Sequence, residues 1–342
     1  MCKRILVSQT NTEDGVPFYK IGTIGSTPDA YISKELFDDY KVKYNYPRKG
    51  EVMITCAGTV GKCVVYDGED AYFQDSNIVW IDNPTQYISN GFLFHLLSKV
   101  DWRKLNSTTI IRIYNDDLRN LKMSYPRKEE QQKISHLLSL LDERIATQNK
   151  IIEDLKKLKS AITDLLFHSI ADAHTIRLGE IAHITNGAGD VQDANTEHQE
   201  DWYPFFDRSE ELKWFPTYSF DKEAVIYAGE GQSFYPRYYN GKFALHQRCY
   251  AITDFASCII PKYCYHFMNT LNSYFVRNSV GSTVPSLRMD IFQKVEIRLP
   301  PIPKQQHICK IIDAFYTKLE VEQRGISILQ ELKQFLLSQM FI

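Results

Sequence analysis

Two long stretches of the chain place hydrophobic residues at alternating spacings of three and four, the period of an amphipathic helix. The first lies between residues 141 and 166 and the second between residues 315 and 340. The two series are Leu141, Ile145, Gln148, Ile152, Leu155, Lys159, Ile162 and Leu166, then Phe315, Leu319, Glu322, Ile326, Leu329, Lys333, Leu336 and Met340. Polar residues interrupt both series at the same two steps, which is typical of a coiled-coil seam whose polar layers set the register.

The two helices belong to an internal repeat. A shift of 174 residues places Thr109–Phe167 on Thr283–Phe341 without a gap. Each copy has a proline, Pro126 or Pro300, where the helix is expected to begin, a position that proline favours. The identities include Thr109/Thr283, Asp116/Asp290, Pro126/Pro300, Gln131/Gln305, Gln132/Gln306, Ile134/Ile308, Ile152/Ile326, Leu155/Leu329, Leu158/Leu332, Lys159/Lys333 and Phe167/Phe341. The repeat predicts two copies of one structural unit.

Each predicted helix has about 40 residues and is roughly 60 Å long at 1.5 Å per residue. Neither has enough neighbouring chain to cover such a length. We therefore expect the helices to pack on each other as an antiparallel coiled coil, with a pseudo-twofold relation between the repeats. Two amphipathic helices in separate cores are the alternative.

The remaining segments have short runs of β-forming residues separated by Gly, Asn and Asp turns. The runs are Glu51–Thr55, Cys63–Tyr66, Asn77–Trp80, Ala224–Tyr227 and Lys294–Arg298, with helical patches near Phe92–Lys99 and Cys264–Asn272. We predict an α+β fold of two globular mixed α/β lobes, residues 1–125 and 173–299. A central helix at 126–172 and a C-terminal helix at 300–342 follow the lobes.

The 342 residues are 44% hydrophobic and 24% charged, a composition typical of a soluble globular protein. We find no apolar signal segment in Met1–Thr10 and no stretch long enough to cross a membrane. These features predict a cytoplasmic protein whose seven cysteines are reduced. Cys258, Cys264 and His266 leave zinc as an alternative, although their spacing and number do not fit a zinc motif.

The formal charge of −2 argues against a uniformly basic nucleic-acid binder, so the distribution of charge matters more than the sum. Acidic residues dominate residues 180–230, whereas residues 231–289 contain one acid, Asp254, among several cations and tyrosines. Such a segment suits a groove that follows phosphates while side chains reach base edges. The first lobe has a weaker version around Arg103, Lys104 and Arg112.

Particular loops supply the candidate contacts. Gly58–Lys62 has two glycines and a lysine, so its backbone can approach a phosphate closely, with a hairpin turn as the alternative. The segment Gly281–Thr283 matches Ser107–Thr109, and its hydroxyl residues suit bonds to phosphates or bases, with a plain turn again as the alternative. Arg237 and Arg248 suit bidentate guanine reading or simple phosphate contact. The candidate DNA contacts are Thr59, Lys62, Gln74, Asn77, Thr108, Arg112, Ser233, Tyr235, Arg237, Tyr238, Lys242, His246, Arg248, Ser282, Thr283 and Arg288.

The sequence has none of the catalytic motifs that we sought. Methyltransferases that modify an exocyclic amine carry an Asn/Asp-Pro-Pro-aromatic motif, and Asn83–Gln86 lacks its second proline and its aromatic residue. A phosphate-binding P-loop, a metalloprotease helix motif and a hydrolase nucleophile elbow are also missing. We therefore predict a non-catalytic chain with no metal or cofactor of its own.

With two lobes, each followed by a similar long helix, the chain resembles the specificity subunit of a type I restriction-modification enzyme. The matching stretches are Leu178–Ile181 with Asn186–Gly187 at the start of the second lobe, Pro126–Gln132 and Pro300–Gln306 at the helix starts, and Leu140–Ile145 and Leu155–Phe167 within the first helix. Together the lobes and helices cover nearly the whole chain.

The resemblance implies that each lobe is a target-recognition domain for one half of a bipartite DNA sequence, and that the paired helices set the gap. It implies two modification subunits, which bring S-adenosylmethionine and methylate a flipped adenine in each half. Restriction subunits that use ATP and magnesium would join them. The second lobe opens at Leu178–Ile181, but the first begins at Met1 after the equivalent point, so we expect that it lacks its opening strand.

Two other functions stay open at this stage. One is an orphan DNA-binding scaffold or regulator without partner subunits. The other is a nuclease or methyltransferase whose site has no recognisable motif.

Overall fold

The computed structural model describes residues 1–74, 77–104, 111–170, 172–281 and 283–340. The chain forms two compact units, Met1–Asn149 with Arg324–Ile342, and Lys150–Gln323. Each unit therefore contains one lobe and one end of each long helix. The candidates Thr108 and Ser282 lie outside the described residues, as do Thr109 and Phe341 of the repeat.

In its described residues the first lobe has two small sheets, three α-helices and a short 3-10 helix at Val7–Gln9. The strands are β1 (Val16–Tyr19), β2 (Tyr31–Ile32), β3 (Val52–Thr55), β4 (Cys63–Val65), β5 (Tyr72–Phe73) and β6 (Ile78–Trp80), and the helices are α1 (Lys34–Lys43), α2 (Asn90–Lys99) and α3 (Asn115–Arg119). One sheet has the order β2-β1-β5, with β1 and β5 parallel, and the other has the antiparallel order β4-β3-β6. The long helix α4 (Lys128–His168) follows.

The second lobe is built around one six-stranded sheet. Its elements are β7 (His174–Arg177), α5 (Leu178–Ile181), β8 (His183–Asn186), β9 (Tyr203–Phe206), β10 (Lys213–Phe215), β11 (Phe220–Ala228), β12 (Arg237–Leu245), β13 (Cys249–Thr253), α6 (Pro261–Met268), α7 (Asn272–Asn278), α8 (Met289–Gln293) and β14 (Glu296–Leu299). The sheet has the order β10-β9-β12-β11-β13-β8, and β14 pairs with β7 separately. The chain then forms the long helix α9 (Ile302–Met340).

The structure bears on two sequence expectations about these lobes, the bounds of a helical patch in the second lobe and the opening strand of the first. The helical patch expected at Cys264–Asn272 is wrong in its bounds, because α6 starts at Pro261 and ends at Met268, and α7 begins only at Asn272. Pro261 explains the early start, since proline suits the first helical turn. The first lobe is expected to lack the equivalent of β7, the opening strand that pairs with β14 in the second lobe. Residues 122–125, the repeat equivalents of β14, do not form a strand.

The long helices follow the predicted seams. Every predicted seam position is buried or half-buried, including Gln148 at 4% exposure. In the unit of the first lobe, Leu138 near the start of α4 packs with Leu337 near the end of α9. In the other unit, Phe167 at the end of α4 shares a core with Ile308 at the start of α9. Within each unit the helices are therefore antiparallel, as predicted.

The lysines of the polar layers make equivalent contacts in the two units. Lys333 forms an ion pair with Asp142. Lys159 places its ammonium 4.1 Å from the ring centroid of Tyr316. The 174-residue shift places Lys159 on Lys333 and Asp142 on Tyr316, so an acid in one unit is replaced by an aromatic ring in the other.

Candidate nucleic-acid interface

A cleft of about 450 Å³ in the first lobe collects positive and amide side chains. Its lining includes the cations Arg4, Lys20 and Arg112 and the amides Gln74 and Asn77, and no acid is among the lining residues that the structure describes. Lys20 also pairs with Asp29 at 2.8 Å. Gln74, Asn77 and Arg112 are sequence candidates, and the fold brings Arg112 to the first two from about 35 residues further along the chain. We call this the basic cleft.

A turn at residues 20–25 connects the basic cleft to the glycine loop. The backbone N–H of Ile21 donates to Oε1 of Gln74 at 3.2 Å, and the Thr59 hydroxyl donates to the carbonyl of Ile21 at 2.8 Å. Thr59 and Gln74 therefore hold the same turn from two sides.

The glycine loop Gly58–Lys62 lines a second cleft of about 460 Å³, together with Trp102 and Arg103. Gly61 has a φ of +85°, and a Cβ atom there would lie 2.3 Å from Trp102, so only glycine fits. Lys62 is exposed at this cleft. The loop is a turn, as its alternative interpretation had it, and it also presents a cation beside a second one at Arg103.

Sequence reasoning did not select Arg4 and Lys20 of the basic cleft. For Lys20 the available signal was alternation along β1, because Phe18 and Lys20 line the cleft while Tyr19 does not. Arg4 lies outside any described helix or strand, and no periodic pattern pointed to it.

In the second lobe, three loops lie side by side through backbone hydrogen bonds. Gly231 N–H donates to Pro285 at 3.0 Å, Leu287 N–H to Gly229 at 2.7 Å, and Gly229 N–H to Arg248 at 3.0 Å. The third loop is the turn before β13. The three loops carry the exposed candidates Ser233, Tyr235, Arg248, Thr283 and Arg288, with half-buried His246 beside them. The fold thus gathers six described candidates onto neighbouring loops.

Arg248 forms an ion pair with Glu230 at 2.7 Å, and three other candidates of the second lobe also have contacts within the fold. Arg237 donates to the carbonyl of Ser209 and lies 6.0 Å from the Phe206 ring centroid. Tyr238 donates its hydroxyl to Glu223, and burial, followed by that hydrogen bond, raises its pKa well above the usual range. The Lys242 ammonium lies 4.7 Å from the ring centroid of Tyr218.

The Cys56 thiol, which interacts electrostatically with Arg112 of the basic cleft, is not set up as a nucleophile. Burial raises the pKa of Cys56 to about 11, and the opposing effect of the Arg112 guanidinium is smaller. The thiol is therefore protonated at neutral pH. Among the described residues, no group of three or more His, Cys, Asp or Glu side chains is arranged to hold a metal ion, and no helix is long and apolar enough to cross a membrane.

The chain is similar to known proteins along both repeats. Residues 1–157 and 171–334 match the family model described as type I restriction modification DNA specificity domain. A Haemophilus influenzae protein assigned as the type I restriction enzyme specificity subunit S.HindORF215P is 50% identical over 155 residues, which are 45% of this chain and 40% of that protein. The specificity subunit of the Escherichia coli type I restriction enzyme EcoDI is 31% identical over 165 residues, or 48% and 36% of the two chains. The alignments thus span less than half the length of these relatives.

Solved structures share the fold. The S subunit of a type I restriction-modification system from M. genitalium superposes with a TM-score of 0.67 at 17% identity, covering 100% of this chain and 92% of that one. A chain from a structural study of complex assembly and conformational transition in the type I R-M system gives 0.57 at 17% identity, covering 96% and 92%.

Proposed function

Because the chain belongs to the type I restriction modification DNA specificity domain family, we propose that it is a DNA-reading specificity subunit of a type I restriction-modification complex. Each lobe reads one half of a bipartite target, and the chain supplies no catalytic group. The observation that carries this proposal is the match of both repeats to one DNA specificity family, on a fold that gathers the candidate contacts of each lobe.

In the first lobe we assign the basic cleft and the glycine loop to DNA. Arg4, Lys20, Lys62 and Arg112 would neutralise phosphates, which supplies the sequence-independent part of the affinity. Gln74 and Asn77 offer the amide donors and acceptors that distinguish bases in the major groove.

In the second lobe we assign the three neighbouring loops to DNA. Their exposed candidates are Ser233, Tyr235, Arg248, Thr283 and Arg288, together with half-buried His246. Arg237, Tyr238 and Lys242 would mainly shape the lobe.

The long helices have a second apolar stripe that supports docking of other subunits. On α4, Ile151, Leu158 and Leu165 are 36%, 50% and 61% exposed at seven-residue spacing. On α9, Val321, Ile328 and Phe335 are 56%, 64% and 59% exposed at the same spacing. Regular exposed apolar positions of this kind mark interaction surfaces. We assign them to two modification subunits, which bring S-adenosylmethionine. Restriction subunits would join this complex in the cytoplasm.

The DNA contacts can be tested by salt-dependent binding of the purified chain to duplex DNA of random sequence. Each lysine or arginine that contacts a phosphate contributes about 0.9 to the slope of log affinity against log salt. Lys62→Ala and Arg112→Ala should each lower the steepness by about that amount. Lys43→Ala is the matched control, since Lys43 pairs with Asp39 on α1 outside both clefts. Equal slopes of log affinity against log salt in the unaltered chain and its three variants would contradict the assignment.

A further inference from the structure

The other face of the β1–β5 sheet has a small pocket of opposite charge. It has a volume of about 150 Å³, with aromatic walls and carboxylates at its exposed rim. The aromatic side chains of the walls are Tyr19, Tyr66 and Phe73, and the carboxylates at the rim belong to Asp67, Glu69 and Asp70. We call this the acidic aromatic pocket. Its lining residues include no lysine, arginine or histidine.

Strand alternation separates the pocket from the basic cleft. Along β1, Phe18 lines the basic cleft, whereas Pro17 and Tyr19 line the acidic aromatic pocket. After β1 and β5, Lys20 and Gln74 continue the cleft, while Phe73 belongs to the pocket. Successive side chains of a strand point to opposite faces, so one sheet carries positive charge on one side and negative charge on the other.

Two of the rim carboxylates lack a cation of their own. Asp70 pairs with Lys34 at 2.9 Å and with Lys41 at 3.1 Å. Within the described part of the chain, the Glu69 carboxylate has no hydrogen-bond or ion-pair partner, and Asp67 accepts only the backbone N–H of Glu69 at 2.9 Å. The Asp67 and Glu69 carboxylates are therefore not part of an ion pair among the described residues, and they lie next to apolar surface.

The same lobe already binds ammonium groups by this combination of acid and ring. Lys41 pairs with Asp70 and lies 4.9 Å and 5.2 Å from the ring centroids of Phe37 and Tyr46. Lys34 pairs with Asp70 as well and lies 4.8 Å from the Phe37 ring. Cations are attracted to aromatic faces at such distances, and a carboxylate adds to the attraction.

We propose that the acidic aromatic pocket binds an arginine or lysine side chain of a protein partner. The apolar walls accommodate the aliphatic stem, and Asp67 and Glu69 face the charged end. DNA is excluded as the occupant, because its phosphates would be repelled by the same carboxylates. The lobe thus uses one face of the sheet for a polyanion and the other for a cationic protein surface.

The test uses the full chain labelled with ¹³C at its methionine methyl groups. Met53 lines the pocket and is 1% exposed, and the chain has six methionines, so its methyl signal is readily assigned with Met53→Leu. The probes are acetyl-Gly-Arg-Gly-amide, acetyl-Gly-Lys-Gly-amide and the neutral isostere acetyl-Gly-citrulline-Gly-amide. We expect saturable shifts of the Met53 signal with the two cationic peptides and none with citrulline.

Asp67→Asn/Glu69→Gln should weaken the apparent affinity by about fivefold or more, since two exposed charge interactions are lost. Glu13→Gln/Asp14→Asn is the matched control, because it removes two carboxylates of the same lobe outside the pocket and should change nothing. The remaining methionine signals report that each variant is folded. Equal shifts with citrulline, no shift of Met53 with any peptide, or an unchanged affinity of the pocket variant would each overturn the proposal.

Discussion

One buried glutamine holds each long helix to the lobe that precedes it. Gln131 accepts from the Ser89 N–H at 2.7 Å and donates to the carbonyls of Tyr87 and Pro126 at 3.0 Å and 2.9 Å. Gln305 accepts from the Ile260 N–H at 2.9 Å and donates to two carbonyls, of Cys258 at 2.8 Å and of Pro300 at 2.9 Å. The amide group satisfies one donor and two acceptors of loop backbone in each unit, which no hydrophobic residue can do.

We expect Gln131→Ala and Gln305→Ala each to lower the free energy of unfolding by about 2–4 kcal/mol, because each leaves buried backbone groups without partners. Gln132→Ala and Gln306→Ala are matched controls, since these neighbours are also shared by the repeats but are exposed. Urea denaturation of the five proteins measures the difference. Similar losses in the exposed and the buried pair would refute the role.

Two buried histidines lie at these same junctions. His266 contacts Asp313 through Nε2 at 2.9 Å, and its Nδ1 has no partner in the described residues, nor has Nε2 of His95. Burial lowers the pKa of both imidazoles below the usual 6.5, and for each the nearby aspartate opposes this with a smaller effect. Both histidines are therefore neutral in the folded protein near pH 7.

This arrangement predicts a loss of stability in mild acid. Well above pH 6.5, near pH 8, the histidines are neutral in both the folded and the unfolded state and contribute no pH dependence. As the pH falls below that value, the unfolded chain binds protons before the folded chain does, so the free energy of unfolding decreases. Thermal melting between pH 8 and pH 5 should show this decline. His95→Phe should flatten it, and the exposed His136→Phe should leave it unchanged.

At the scale of elements, the helices were the most predictable part of the molecule. Their apolar series of period three and four is local in sequence, and α4 and α9 extend over the predicted stretches with the predicted seam inward. The five predicted strand runs fall on β3, β4, β6, β11 and β14, but the other described strands and the order of the strands in the sheets were not predicted. Pairing such as that of β9 with β12 joins residues about 40 apart, and no local pattern encodes it.

The helices also allow a direct test of their proposed role as a spacer. Seven residues inserted after Lys150 and after Arg324, positions related by the 174-residue shift, preserve the seam in both helices. The insertion adds about 10 Å at 1.5 Å per residue. We expect the gap in the DNA target to widen by about three base pairs at 3.4 Å each. A seven-residue insertion into α4 alone is the control and should impair assembly. An unchanged gap with both insertions would contradict the spacer role.

For the whole molecule, the resemblance of the sequence to specificity subunits identified the family that the comparisons then confirmed. The candidate contacts are less well determined by sequence. Gln74, Asn77 and Arg112 meet in one cleft, as a binding site requires. Arg237 and Tyr238 are also residue types that can contact DNA, but their side chains are engaged by Ser209 and Glu223. Residue type shows what a side chain can bind, whereas tertiary neighbours decide whether it is available.

The two lobes differ in ways that suit two different half-sites. The first lobe presents its cations in a cleft beside a glycine loop, and the second presents them on three neighbouring loops. The helices, in contrast, repeat their seam and their lysine layers. Unequal lobes on repeated helices are expected of a protein that brings the same enzyme to two unlike sequences.

Sequencing of methylated bases in a host that expresses this chain with the modification subunit of its own system tests the central claim most directly. We expect one methylated motif with two specific halves separated by a gap of unspecified bases. Lys62→Ala/Arg112→Ala should relax or abolish recognition of one half only, and Arg248→Ala/Arg288→Ala should affect the other. A single uninterrupted motif, or a loss of specificity in the same half with both variants, would contradict it.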